Sequence, residues 1–188
     1  MGVFIVKCFS ICCLFLFSNV FAQKIEKGFG VGWGYALNER TIPEGVYRLL
    51  YVQGRVAYNL TYGKLPHKSI FEKLLVGAEP QYNRVWIDTA PKEWETGLNF
   101  FLQPTFFLNK TFQPYCVFSL GPHYFSTPTI HQRQGFIFSD SMGIGSYVSL
   151  HKKVYFHFNF RIRHLSNANT RLPNFGINTY NFHCGWVW

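Results

Sequence analysis

His164-Leu-Ser166 sets an imidazole and a hydroxyl two residues apart near the end of this 188-residue chain. On a β-strand these two side chains share a face, with Cα atoms roughly 6.5–7 Å apart, and the imidazole can reach along the strand to the hydroxyl. A histidine so placed can take the serine proton as the oxygen attacks a carbonyl carbon. Asn178 can orient the second ring nitrogen, the third role of a triad, and Asn167 and Asn174 supply amide donors for an oxyanion. The expected chemistry is that of a serine esterase. The rival reading makes the same residues polar groups at a membrane rim that only meet water and lipid headgroups.

The elements around them read as strands. Phe156, Phe158, Phe160 and Ile162 alternate with His157, Asn159, Arg161 and Arg163. Continuing the apolar phase reaches His164 and Ser166, so the pair is expected on the outer face if the phenylalanines meet lipid. The last segment sets Tyr180, Phe182, Cys184, Trp186 and Trp188 against Asn181, His183, Gly185 and Val187. It runs to the C-terminal residue as a closing barrel strand does, with Asn178 in phase with Tyr180.

The same period of two recurs upstream. Phe29, Val31, Trp33, Tyr35 and Leu37 alternate with glycines and Ala36, which suits a narrow lumen. Leu50, Val52, Val56, Tyr58 and Leu60 oppose Gln53, Arg55, Ala57, Asn59 and Thr61. Leu74, Val76 and Ala78 oppose Glu79, Gln81 and Asn83, and Leu98, Phe100 and Leu102 oppose Gly97, Asn99 and Gln103. Weaker alternation covers Phe112–Tyr124 and Ser141–Leu150. Asn38–Gly45, Lys64–Lys68 and Asp88–Glu93 read as loops. The expected fold is all-β, an eight-stranded antiparallel transmembrane β-barrel with a lumen filled by side chains.

Composition agrees: aromatic residues make up 20% of the chain and charged residues 14%, an unusual balance for a water-exposed surface. No second apolar run is long enough for a spanning helix, whereas barrel strands need only about 9–11 residues. Lys7, the apolar Cys8–Phe17 stretch and small residues at Val20 and Ala22 predict a signal peptide over 1–22, leaving one domain, 23–188. That points to a bacterial outer membrane. Of the 18 basic residues, 17 remain after Lys7 is removed. Against nine acidic residues they leave a formal charge of +8, suited to anionic lipid or to solvated loops. A soluble lipocalin is the structural rival, but its apolar face points inward.

The motif His164-Leu-Ser166-Asn167-Ala168 with Pro173-Asn174-Phe-Gly176-Ile177-Asn178 resembles the outer-membrane lipid A 3-O-deacylases, the acyloxyacyl hydrolase-like barrels. Gly121-Pro-His-Tyr-Phe adds looser support. The resemblance implies an eight-stranded barrel with the histidine and serine on its outer surface. It also implies hydrolysis of the ester-linked acyl chain at the 3-position of lipid A, with lipopolysaccharide and outer-membrane lipid as partners and no metal or cofactor. It casts His164 as base, Ser166 as nucleophile, and Asn167 and Asn174 as oxyanion residues. Asn178 falls where the best-known members carry glutamate. Exchanging the orienting Asp for Asn costs about 10⁴ in a serine protease, although papain-like enzymes use Asn in that role. Glu39 or Glu44 in the first loop is the alternative source of a carboxylate. The alternative function is a non-catalytic barrel with a structural or surface-interaction role.

Nothing else competes as chemistry. The remaining histidines lack metal-ligand spacing, no basic cluster suggests nucleic acid, and no feature sets an oligomeric state. Cys116 and Cys184, if outward on strands that are not neighbours, are too far apart for a disulfide.

Overall fold

A computed structural model describes residues 25–36, 47–62, 70–87, 93–126, 129, 132–151 and 153–188. The expected signal peptide and Leu37, Glu39 and Glu44 lie outside the described residues. Eight strands follow one another: β1 (Ile25–Ala36), β2 (Arg48–Asn59), β3 (Phe71–Trp86), β4 (Glu93–Phe106), β5 (Phe112–Phe125), β6 (Gly135–His151), β7 (Val154–Ser166) and β8 (Ile177–Val187). Each pairs antiparallel with the next, and β1 pairs with β8 to close the barrel. The match of Trp33 with Phe182 is part of that closing seam.

Alternation decides what faces where. In β1, Phe29, Val31, Trp33 and Tyr35 are exposed on the outer wall while Gly30, Gly32 and Gly34 are buried inside. The close approach of inward side chains explains Gly32 and Gly34. A Cβ at Gly32 would run into the Tyr51 ring, and one at Gly34 into the Asn181 amide. Outward apolar side chains recur on every strand, with Phe100, Phe118, Phe136, Ile144, Phe158 and Trp186 all exposed. An apolar wall of this extent belongs against lipid and rules out the lipocalin arrangement.

The lumen is less uniformly polar than the alternation suggests. Tyr47, Leu49, Val85, Phe125, Ile137, Leu165 and Ile177 form one apolar cluster toward the Ala36 end of the barrel. Leu75, Phe101, Tyr115, Val117, Tyr147 and Val187 form a second. Packed with them, Glu79 bridges Arg55 at 2.6 Å and Arg161 at 2.7 Å. Glu95 bridges Arg163 and His123, and Glu26 holds Lys73 at 2.6 Å. Burial demands this pairing, because a lone charge in a low-dielectric interior is costly.

Several strand limits differ from the sequence reading, and β2 ends at Asn59, ahead of Leu60 and Thr61. β6 starts at Gly135, six residues ahead of Ser141, because Phe136 and Phe138 face out while Ile137 and Ser139 face in. The inward Ile137 masks that alternation. Glu93, expected in a loop, opens β4 with its side chain buried and accepting from Ser126 Oγ at 2.9 Å. Cys116 and Cys184 are free, on β5 and β8 with two strands between them.

Candidate active site

β7 carries the expected parity to its last residue. His157, Asn159, Arg161, Arg163 and Leu165 are buried, while Phe158 and Ile162 are exposed and His164 and Ser166 half-buried on the same outer side. His164 therefore stands on the membrane-facing wall at the rim of the barrel, opposite Asn178 in the β7–β8 ladder. Its Nδ1 meets Asn178 Oδ1 at 2.7 Å. An amide oxygen only accepts, so Nδ1 carries a proton, and in a neutral ring Nε2 is then the nitrogen with the lone pair. That is the tautomer a general base needs.

Ser166 shares this face, and no hydrogen bond joins its Oγ to His164 among the described residues. Catalytic hydrogen bonds are often long before substrate is bound. Phe138 is its cross-strand partner on β6, so the hydroxyl projects beside an exposed aromatic ring.

The 167–176 loop that joins β7 to β8 is tied by the other two asparagines. The Asn167 backbone N–H donates to Asn174 Oδ1 at 2.7 Å, and Asn167 Nδ2 donates to the Arg171 carbonyl at 2.6 Å. Thr170 returns its backbone N–H and its hydroxyl to the Asn167 carbonyl. Ala168 and Asn169 take left-handed φ values of 52° and 60° to make the turn. Asn174 Nδ2 donates to Asn169 Oδ1 at 2.9 Å, which leaves its second N–H for another acceptor. Residues 132 and 133, ahead of β6, are pinned across it, with Gln132 bridged to Asn174 and Arg133 N–H donating to the Pro173 carbonyl.

Gly176 completes the pocket around the imidazole. Its φ is +75°, and a Cβ there would collide with the His164 ring. Only glycine satisfies both demands.

The arrangement can do acyl transfer at a carbonyl, on the outer wall at the rim of the barrel. Residues 52–187 match the lipid A 3-O-deacylase (PagL) family. The chain belongs to the lipid A 3-O-deacylase family. As a member of it, the protein is an outer-membrane barrel. The solved structure of the outer membrane enzyme PagL is similar, with a TM-score of 0.61 at 14% identity, covering 84% of this chain and 97% of that one. Neisserial surface protein A (NspA) is similar too, with a TM-score of 0.58 at 11% identity, covering 87% of this chain and 95% of that one. At those identities the structural likeness shows the fold alone. No curated protein matches the chain by sequence.

In this deacylase-family barrel the site lies at the end where β1, β3, β5 and β7 finish and β2, β4, β6 and β8 begin. The chain termini of the described barrel lie at the other end, Lys27 and Trp188 being bonded to each other there. Sequence reasoning brought together His164, Ser166 and Asn178, and it grouped Asn167 with Asn174. It held Gly176 within the motif without a role, and the need for glycine there comes from the contact that a Cβ would make with the His164 ring. It also passed over Asp140 on β6, the other cross-strand partner of His164. Phase with Phe136 and Phe138 marks Asp140 as outward, but no local signal gives its register.

Gly176→Ala is expected to lower ester turnover about tenfold or more, because the methyl group pushes the imidazole off Asn178 and the left-handed φ costs about 1–2 kcal/mol. Turnover compared with the urea midpoint checks this. An alanine variant of native activity would show that the ring has room to spare.

Proposed function

We propose that the protein removes the 3-O-linked acyl chain of lipid A with Ser166 as nucleophile, His164 as base and Asn178 as the residue that orients the imidazole. The observation that carries this reading is the hydrogen-bonded His164–Asn178 pair beside Ser166 on the membrane-facing wall of a deacylase-family barrel. His164 Nε2 takes the Ser166 proton as Oγ bonds to the acyl carbonyl carbon. The negative charge that develops on the carbonyl oxygen is met by the remaining Asn174 N–H, with Asn167 holding Asn174 in place. When the C–O bond to the sugar breaks, the imidazolium returns the proton to the sugar oxygen. Water then adds to the acyl-enzyme with His164 again as base, Ser166 recovers its proton, and a fatty acid leaves.

The wall below the site suits the acyl chain. A groove of about 720 Å³ lies across β5 to β8, lined by Cys116, Ile144, Phe158, Phe160 and Phe182 among others. Phe160 is four residues down β7 from His164, roughly 13 Å at strand rise. Exposed Leu172 and Phe175 on the 167–176 loop extend the apolar surface above. Arg133 and Arg171, on the two pinned loops, supply positive charge toward a phosphate-bearing substrate.

Mass spectrometry of lipid A incubated with refolded protein in detergent tests the reading. Loss of one 3-O-linked hydroxyacyl chain is expected. An unchanged mass across several lipid A acylation types, with protein that shows the folded gel mobility, would favour a non-catalytic barrel.

A further inference from the structure

An imidazole that accepts a proton in the middle of an acyl transfer becomes a cation, and Asn178 offers it a dipole but no charge. The outer wall holds a carboxylate on the opposite side. Across the ladders of β5 to β8, one outward row reads Leu120, Asp140, His164, Asn178. Asp140 is exposed and stands directly opposite His164, with Cβ atoms expected about 4.5–5.5 Å apart.

Among the described residues Asp140 has no hydrogen-bond or ion-pair partner. Phe138 and Met142 flank it along β6 on the same face, and exposed Leu120 lies across on β5. The arginines that neighbour His164 in β7 turn inward, Arg161 to Glu79 and Arg163 to Glu95. The other described carboxylates go to the lumen, namely Glu26, Glu79, Glu93 and Glu95, except Glu72 near the far end of β3. A charged carboxylate on a lipid-facing wall is unfavourable unless something there uses it.

We propose that Asp140 is a positioning residue of the ester hydrolysis, supplying through space the negative charge that Asn178 lacks and so stabilising the His164 imidazolium. Asn178 fixes the tautomer and Asp140 provides the counter-charge, so the two halves of one triad role come from the strands on either side of β7. The effect acts at the membrane boundary, where lipid lowers the local dielectric and a charge a few ångströms away is weakly screened. Asp140 makes no hydrogen bond to the ring among the described residues, and none is required. This inference rests on the reading of His164 and Ser166 given above.

A double-mutant cycle between positions 140 and 178 separates charge from structure. Asp140→Asn, isosteric and exposed, is expected to lower kcat on lipid A about 10- to 100-fold with KM within about twofold. Asp140→Glu keeps most of the activity. In an Asn178→Glu background, where a carboxylate already faces the ring, Asp140→Asn is expected to cost less than about threefold. Equal losses in the two backgrounds, or no loss in the native one, would overturn the role of Asp140. If Asn178→Glu does not fold, the contrast of Asp140→Glu with Asp140→Asn still reads the charge.

The rate at which a fluorophosphonate labels Ser166 is measured beside lipid A turnover. Labelling that depends on Asp140 without any lipid A turnover would discard the substrate and keep the role of Asp140. Turnover that ignores Asp140 would do the reverse. A Ser166 that neither labels nor turns over would end both.

Discussion

Ser166→Ala is expected to abolish release of the 3-O acyl chain, with turnover falling about 10³-fold or more, because Ser166 carries the only hydroxyl that shares the outer face of β7 with His164. His164→Ala should do the same, since it removes the base and leaves the Asn178 amide without its 2.7 Å partner. The two losses should not add, as they disable one proton transfer. Both side chains sit on the outer wall at the rim, so neither substitution opens the lumen. Stability should stay within about 0.5 kcal/mol. Gel mobility without heating shows whether each variant has folded, and lipid A mass spectra give the turnover. A Ser166→Ala protein that still released the acyl chain would remove the serine mechanism outright.

The second large effect is on stability and lies in the lumen. Glu79 is fully buried and holds both Arg55 and Arg161 by its two carboxylate oxygens. Glu79→Ala leaves the buried Arg161 guanidinium without its anion and Arg55 with only Glu26, at 3.4 Å, a loss expected at about 3–5 kcal/mol. Glu79→Gln keeps the shape and some acceptor capacity and should fall between. Urea unfolding from detergent, followed by tryptophan fluorescence, measures the difference. A Glu79→Ala barrel as stable as the parent would mean that water or a neighbour such as Gln103, which also accepts from Arg55, takes over the role. The network is held together across great sequence distance, Arg161 and Glu79 being 82 positions apart, so losing it should loosen β2, β3 and β7 together.

These expectations bear on how much of the molecule its sequence reveals. The outward face of β7 is legible because side chains alternate with a period of two, and His164 and Ser166 inherit the phase of Phe158 and Ile162. The glycines of β1 likewise announce a crowded interior. β6 was harder to read, since Ile137 faces in and Asp140 faces out, against the simple apolar-out pattern. Phase with Phe136 and Phe138 puts Asp140 outward, but nothing within β6 tells which residue of β7 stands across from it.

The third member of the site shows the same divide. Asn178 could be assigned from its spacing because β7 and β8 are neighbours in sequence and its phase follows from Tyr180 and Phe182. Its amide oxygen pointing at Nδ1 is a tertiary fact. So are the collision that excludes a Cβ at Gly176 and the bridge from Gln132 to Asn174.

By itself, then, the sequence determined the number of strands, the faces of the strongly alternating ones and the candidate residues near the C-terminus, because pleat and phase are local properties of a strand. Only the tertiary structure decided which carboxylate meets which arginine in the lumen and that Asp140 stands opposite His164. Those pairings depend on register, which is fixed by strand closure and packing around the whole barrel. A slip of one residue would turn Asp140 away from the wall without changing a single local pattern.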